Sequence, residues 1–190
     1  MKKFVISLLA LAIPMVASAH SGHLATTSLS GFLHPFTGGD HIAAMVAVGL
    51  WAAVMGGKAL WHLPLAFVAA MLAGAVFAVV NIQLPAVEFG IALSVVVMGL
   101  VLAVDIRPGH KFASVLVMVF ALFHGHAHGL EMPVASSTAI YFTGFLAATL
   151  ALHVSGMALG QLVIKARLGQ WAFKMTGAIM ALFGGMLLLN

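Results

Sequence analysis

The segment from His34 to His41 brings two imidazoles and a carboxylate together in a chain of which only 6% of the residues are charged. It reads His-Pro-Phe-Thr-Gly-Gly-Asp-His and stands at the head of a long apolar stretch. Imidazoles and charges are costly at membrane depth, so by default they mark a functional site there. Together they suit divalent Ni, Co, Zn, Cu or Fe. The segment therefore predicts a metal site that includes His34, Asp40 and His41.

A second polar cluster lies between Phe123 and Pro133. On a helix His124, His128 and Glu131 fall on one face, at spacings of four and three, whereas His126 points roughly the other way. At a rise of about 1.5 Å per residue, His124 and His41 reach comparable depths from opposite ends of their helices. We therefore expect the two clusters to form one site, with His126 as an additional candidate.

Other residues near these clusters can be interpreted in more than one way. Met45 shares a helical face with His41, Gly49 and Ala52, which makes its thioether an optional ligand beside a smooth packing strip. His153 is a candidate ligand, a donor that fixes another imidazole, or an interhelical hydrogen bond. Asp40 could also serve as the N-cap of the helix that follows it.

The head of the first apolar stretch is predicted to be irregular. Pro35 removes a backbone donor, and Gly38 and Gly39 are weak helix formers, so the stretch from His34 to Gly39 is not expected to form regular helix. Broken helices recur at transporter binding sites, where they line a cavity. The irregular stretch is therefore consistent with a site for a transported ion.

The composition indicates an all-α, polytopic membrane protein. Hydrophobic residues make up 63% of the chain, and the mean hydropathy is +1.18. Cysteine is absent, which excludes disulfides and thiolate ligands. The basic residues are too few and too scattered for nucleic-acid binding, despite a pI near 9.9. The lipid bilayer is the expected environment.

The first nineteen residues are predicted to be a cleaved signal peptide. Lys2 and Lys3 precede an apolar stretch, and Ala17-Ser18-Ala19 supplies the small residues of a cleavage site. Cleavage would leave residues 20–190 as one six-helix domain that begins with His20 and His23. These two imidazoles could chelate metal outside the cell, or belong to a terminus without a role.

Six transmembrane helices are predicted at about residues 31–55, 61–80, 86–104, 112–131, 138–164 and 171–189. With the N-terminus outside, every later basic residue lies in or beside a cytoplasmic loop, as the positive-inside rule requires: Lys58, Arg107, Lys111, Lys165, Arg167 and Lys174. This places both termini in the periplasm of a bacterial inner-membrane protein. The two sets of three spans have opposite orientation, which suggests a 3+3 inverted repeat.

At these motifs the sequence resembles the HupE/UreJ family of nickel/cobalt permeases. The family signature H-P-x-x-G-x-D-H-x-x-x-M-x-x-x-G-x-x-A is met in full from His34 to Ala52, and the fourth-span cluster also resembles that of the family. The resemblance implies secondary uptake of Ni²⁺ or Co²⁺, with Zn²⁺ also compatible with the ligands. His34, Asp40 and His41 would bind the ion first, and span 4 would complete its path. The candidate protein partners are hydrogenase or urease maturation proteins and a second copy of the chain.

Two other functions use the same residues. Three imidazoles and a carboxylate would also satisfy an intramembrane zinc hydrolase, although no acyl-chain pocket can be identified from the sequence. The chain could instead be an assembly factor that hands metal to a partner without transporting it. The leading hypothesis is a permease. Such a protein is not an enzyme and needs no tightly bound cofactor.

Overall fold

The computed structural model describes residues 28–132, 137–166 and 169–189, and every regular element in these ranges is helical. The elements are α1 (Ser28–Leu33), a 3-10 turn (His34–Phe36), α2 (Gly39–Met55), α3 (Ala59–Val79), α4 (Val87–Val104), α5 (His110–Leu130), α6 (Thr138–Lys165) and α7 (Gly169–Leu189). The predicted all-α class is confirmed. The predicted signal peptide, His20 and His23 lie outside the described residues.

Helices α3 to α7 are each long and apolar enough to cross a membrane. The first span is broken, because Leu29–Phe36 meets α2 at a bend of 84°. If the bent pair counts as one span, the described residues contain six. The chain is therefore a multi-pass membrane protein, and the observed helices overlap all six predicted segments, with ends that differ by a few residues.

The break in span 1 lies within the predicted irregular stretch. Pro35 is part of the 3-10 turn, and Gly38 is the extended N-cap of α2, with φ −101° and ψ 119°. The interpretation of Asp40 as an N-cap is wrong, because Asp40 lies inside the first turn of α2 and the cap makes no side-chain hydrogen bond. An acidic residue in this turn still interacts favourably with the positive end of the helix.

Three helix pairs pack with their backbones in contact at glycines. A Cβ on Gly49 of α2 would lie 2.2 Å from the carbonyl oxygen of His153 in α6, and a Cβ on Gly125 of α5 would lie 1.8 Å from that of Met71 in α3. A Cβ on Gly99 of α4 would lie 2.3 Å from a backbone nitrogen of α7. Small residues thus permit the close helix contacts that stabilise membrane bundles.

The principal pairs are α2 with α6, α3 with α5, and α4 with α7. Exchanging α2 with α5, α3 with α6 and α4 with α7 gives the same three pairs. An inverted repeat requires that property. The pairing is therefore consistent with a repeat, which stays a prediction. It also brings the two helices with the polar clusters, α2 and α5, into the same bundle.

The predicted cytoplasmic end of the bundle is closed by apolar packing. Trp51 at the end of α2 is 1% exposed, and its indole N–H donates to the carbonyl of Ile106 in the loop between α4 and α5, at 2.8 Å. Leu63, Leu102 and Val117 are likewise buried in this core. The polar cavity lies at the opposite end of the bundle.

Candidate metal centre

A cavity of about 260 Å³ lies where the break in span 1 meets the end of α5. Three of the four acidic residues of the chain line it, namely Asp40, Glu88 and Glu131. The other acid, Asp105, pairs with Arg107 in a loop, at 2.7 Å. No Lys or Arg is among the residues that line the cavity in the described chain. Its electrostatic potential therefore favours cations.

The outer part of the cavity holds a group of three potential ligands, His34, His128 and Glu131. One ligand atom from each lies within 4.8 Å of the others. The His34 Nε2–H donates to Oε2 of Glu131 at 2.8 Å, and His128 Nδ1 lies 3.8 Å from the same oxygen. The Glu131 side chain is 55% exposed, whereas that of His128 is 2% exposed. A cation could thus pass from an exposed carboxylate to a buried imidazole.

Asp40 fixes the imidazole of His41. One oxygen of Asp40, Oδ1, accepts hydrogen bonds from the His41 backbone N–H at 2.7 Å and from its Nδ1–H at 2.8 Å. The proton on Nδ1 leaves a lone pair on Nε2, which is buried and has no hydrogen-bond partner among the described residues. A carboxylate that orients an imidazole in this way is common behind metal ligands.

Gly38 supplies the space for this pair. A Cβ at Gly38 would lie 2.7 Å from Asp40 Oδ1 and 2.9 Å from His41 Nδ1, so a larger residue would displace one of them. The backbone of Gly38 has a negative φ. The absence of a side chain is therefore what the site requires at this position.

Ser94 of α4 fixes the imidazole of His124. Its hydroxyl donates to the carbonyl of Ile91 at 2.6 Å, so Oγ accepts from the Nε2–H of His124 at 2.8 Å. The remaining nitrogen, Nδ1, carries a lone pair and is buried without a partner in the described chain. His124 is 0% exposed. A buried acceptor without a partner is costly, and a bound cation would satisfy it.

The four imidazoles form a continuous series from the outside inward. The ring centroids of His34 and His128 are 4.8 Å apart, those of His128 and His41 are 4.2 Å apart, and those of His41 and His124 are 4.7 Å apart. His128 contacts both His34 and His41, and neither of its nitrogens has a hydrogen-bond partner among the described residues. The geometry thus brings the two sequence clusters together.

Three other candidates lie apart from this series. Met45 is fully buried in the apolar core and is not among the residues that line the cavity. His126 faces the loop between α3 and α4, where its Nε2 lies 3.0 Å from the carbonyl of Ile82. His153 is buried beyond Phe67, which contacts the rings of both His124 and His153. The expectation that His126 points away from the other ligands is confirmed.

The sequence interpretation did not include Glu88 or Ser94. Glu88 stands in the first turn of α4 and lines the cavity. The composition could have pointed to Glu88, because it is one of only four acidic residues and is predicted to lie at the outer end of a span. No sequence pattern pairs Ser94 with His124, since that contact depends on how α4 packs against α5.

The hydrogen bond from His34 lowers the pKa of Glu131, while partial burial opposes that shift. Glu131 therefore stays ionised to a lower pH than an ordinary glutamate. It can offer a carboxylate at the mouth of the cavity throughout the neutral range.

Comparisons with known proteins identify the family of the chain. A model of the HupE / UreJ protein family matches residues 8–187. Protein HupE of Rhizobium leguminosarum bv. viciae is 46% identical over 188 residues, which cover 99% of this chain and 98% of the relative. No solved structure matches the chain.

Proposed function

Because the chain belongs to the HupE/UreJ family, we propose that it is a secondary transporter that imports Ni²⁺ or Co²⁺ across the bacterial inner membrane. The ion would supply hydrogenase or urease maturation. The observation that carries the proposal is the cavity in which three of the four acids meet a series of imidazoles. Such a concentration of cation ligands is costly in a membrane protein unless a cation uses it.

The proposed path begins at Glu131 and His34, whose side chains are 55% and 26% exposed. His128 would take the ion from them, and the free nitrogens of His41 and His124 would receive it next. Each step replaces some ligands while keeping others, so no step leaves the ion without partners. Binding has to be moderate at each position, because an ion that cannot leave is not conducted.

The driving force proposed is the membrane potential, with or without a coupled ion. It contributes about 2.3 kcal/mol per elementary charge per 100 mV, and a divalent cation entering the cytoplasm gains twice that amount. Protons compete with metal ions for imidazole and carboxylate ligands, so uptake should weaken as the outside becomes more acidic.

The test is nickel and cobalt accumulation in cells that lack other importers. We expect Asp40→Asn and His41→Ala to lower uptake by about tenfold or more, because each removes a ligand or the group that orients it. Asp105→Asn is the matched control, since it makes the same carboxylate-to-amide change outside the cavity. Its uptake should stay within about twofold of native, because exposed ion pairs contribute little to stability. Native uptake by both cavity variants would contradict the proposal.

A hydrolase would behave differently in a second assay. Purified chain loaded with Zn²⁺ would cleave lipid esters or amides if the imidazoles activated water. We expect no cleavage above that of the His41→Ala variant. Cleavage that depends on His41 would favour the hydrolase over the permease.

A further inference from the structure

Two imidazoles outside the cavity also face each other, at the opposite end of the bundle. His62 in the first turns of α3 and His110 at the start of α5 have ring centroids 5.1 Å apart at an interplanar angle of 64°. His62 is exposed and His110 is half-buried. Neither ring has a hydrogen bond to another described residue, so their lone pairs are available to a ligand.

The backbone holds these two residues in place. Helices α3 and α5 are separated by the single helix α4 and run in the same direction, so their first turns lie at the same end of the bundle. They are in backbone contact at Gly125, where a Cβ would lie 1.8 Å from the carbonyl of Met71. The two imidazoles are therefore presented by a rigid helix pair, which lowers the entropic cost of binding one ion between them.

His110 also lies on the same face of α5 as the cavity ligands. That face carries His110, Ala113, Val117, Ala121, His124 and His128, at spacings of three and four. Ala113, Val117 and Ala121 are small or medium-sized and at most 1% exposed. At about 1.5 Å per residue, His110 stands about 21 Å from His124 along this face. This face of α5 therefore runs from His128 and His124 to His110.

We propose that His62 and His110 form a second binding site, for a divalent cation of the nickel, cobalt and zinc class, at the cytoplasmic end of the bundle. Imidazoles are suitable ligands for these ions, and water would complete the coordination. That this site receives the transported ion rests on the proposed function, whereas the binding itself does not.

The charges around the pair make the site weak. Lys58 lies one turn before His62, and Lys111 follows His110 directly. The first turns of α3 and α5 add the positive ends of two helix dipoles. In contrast to the acidic cavity, this end therefore holds a cation loosely. Low affinity at the cytoplasmic end would favour release of the ion.

Binding is tested by equilibrium dialysis of Ni²⁺ with the full chain in nanodiscs, purified without a histidine tag. The outer ligands are first removed by His34→Ala, His41→Ala and His128→Ala, and the terminal pair by His20→Ala and His23→Ala. We expect one weak site to survive in this background. Adding His110→Ala should weaken it by about tenfold or more, because a two-ligand chelate becomes a single contact.

Lys111→Ala is the matched control at the adjacent position. Because it removes a positive charge beside the site, it should strengthen Ni²⁺ binding slightly. Residual binding that His62→Ala and His110→Ala leave unchanged would overturn the proposal, as would no binding by a folded background chain. If that background does not fold, the native chain and the double variant His62→Ala, His110→Ala are compared. The variant should then bind one ion fewer with unchanged affinity at the cavity.

The role in transport has a separate readout. In cells, His62→Ala should lower nickel uptake while Ni²⁺ binding at the cavity stays native. If uptake is native although the weak site is lost, the assignment to the exit path is wrong. If the proposed transport function fails, no variant alters uptake, yet the dialysis result still decides whether the site exists.

Discussion

Single hydrogen bonds determine which imidazole nitrogens of the candidate metal centre carry lone pairs. Asp40 accepts from Nδ1 of His41, and Ser94 accepts from Nε2 of His124, so the opposite nitrogen of each ring is free. The two rings present different nitrogens but lie only 4.7 Å apart. Neighbours that hold a tautomer in this way raise metal affinity without touching the metal.

We predict that Ser94→Ala weakens Ni²⁺ binding by about tenfold, because His124 loses the partner that fixes its tautomer. Ser155→Ala is the matched control, since Ser155 is exposed and its hydroxyl donates only to the carbonyl of Ala151, at 2.8 Å. Isothermal titration calorimetry of the purified chains measures both affinities. Equal affinities for the two variants would show that Ser94 does not act through His124.

The carboxylate of Glu131 should stay charged in mildly acidic solution. The hydrogen bond from His34 lowers the pKa of Glu131 from its ordinary value of 4.5. The stabilisation from this carboxylate is therefore present above about pH 4.5 and is lost as the pH falls through the lowered pKa. Between about pH 7 and pH 5 the carboxylate is therefore ionised and can contribute to metal binding.

We accordingly predict that the ratio of Ni²⁺ affinities between the native chain and Glu131→Gln is the same at about pH 7 and at about pH 5, because the carboxylate is ionised at both. At pH 7 the variant should bind about tenfold more weakly, because it has lost one ligand. Calorimetry at three pH values measures both quantities. A ratio that falls between these two pH values would mean that Glu131 itself titrates in this range.

At the level of elements, the site depends on helices that approach as closely as their backbones allow. Helix α5 carries His124 and His128, and it packs against α3 at Gly125 and Gly74. The same kind of contact joins α2 to α6 at Gly49. Because these contacts leave no room for a side chain, they fix the depth and rotation of both ligand-bearing helices.

We predict that Gly125→Ala lowers the free energy of unfolding by about 1 to 3 kcal/mol, because the new methyl group would overlap the carbonyl of Met71. Nickel uptake should fall with it, since α5 must shift. Gly185→Ala is the control, because a Cβ there has no neighbour within 4 Å. Thermal denaturation in detergent compares the variants. Equal midpoints would contradict the close packing of α3 and α5.

At the scale of the whole molecule, most charges of the described residues are separated by end, with Asp105 as an exception beside Arg107. The acids of the cavity lie at one end, whereas Lys58, Arg107 and Lys111 lie at the other, where the apolar core closes the bundle. The loop between α4 and α5 is tied to α2 by the hydrogen bond from Trp51 to Ile106. The structure is thus open toward the cavity end and closed at the end predicted to be cytoplasmic.

We predict that Thr37→Cys, which lines the cavity, reacts with an impermeant maleimide added to intact spheroplasts. Gly109→Cys, in the loop between α4 and α5, should react only after the membrane is opened. The native chain has no cysteine, so each variant reports one position without background. Ni²⁺ should protect Thr37→Cys alone. Labelling of Gly109→Cys from outside would reverse the predicted orientation.

The sequence alone determined the class of the protein and most of the titratable residues that line the cavity. Apolar stretches of spanning length predict helices, because a membrane leaves the backbone few other ways to satisfy its hydrogen bonds. The break in span 1 followed from Pro35 and Gly38, whose effects are local. The spacing of His124, His128 and Glu131 placed them on one helical face for the same reason.

Only the tertiary structure decided which of these residues meet. It brought Glu88 into the cavity, joined Ser94 to His124, and left Met45 and His126 outside the ligand series. It also placed His62 opposite His110. These contacts depend on the pairing and rotation of helices distant in sequence. Packing at glycines sets that geometry, and periodicity within one helix carries no information about it.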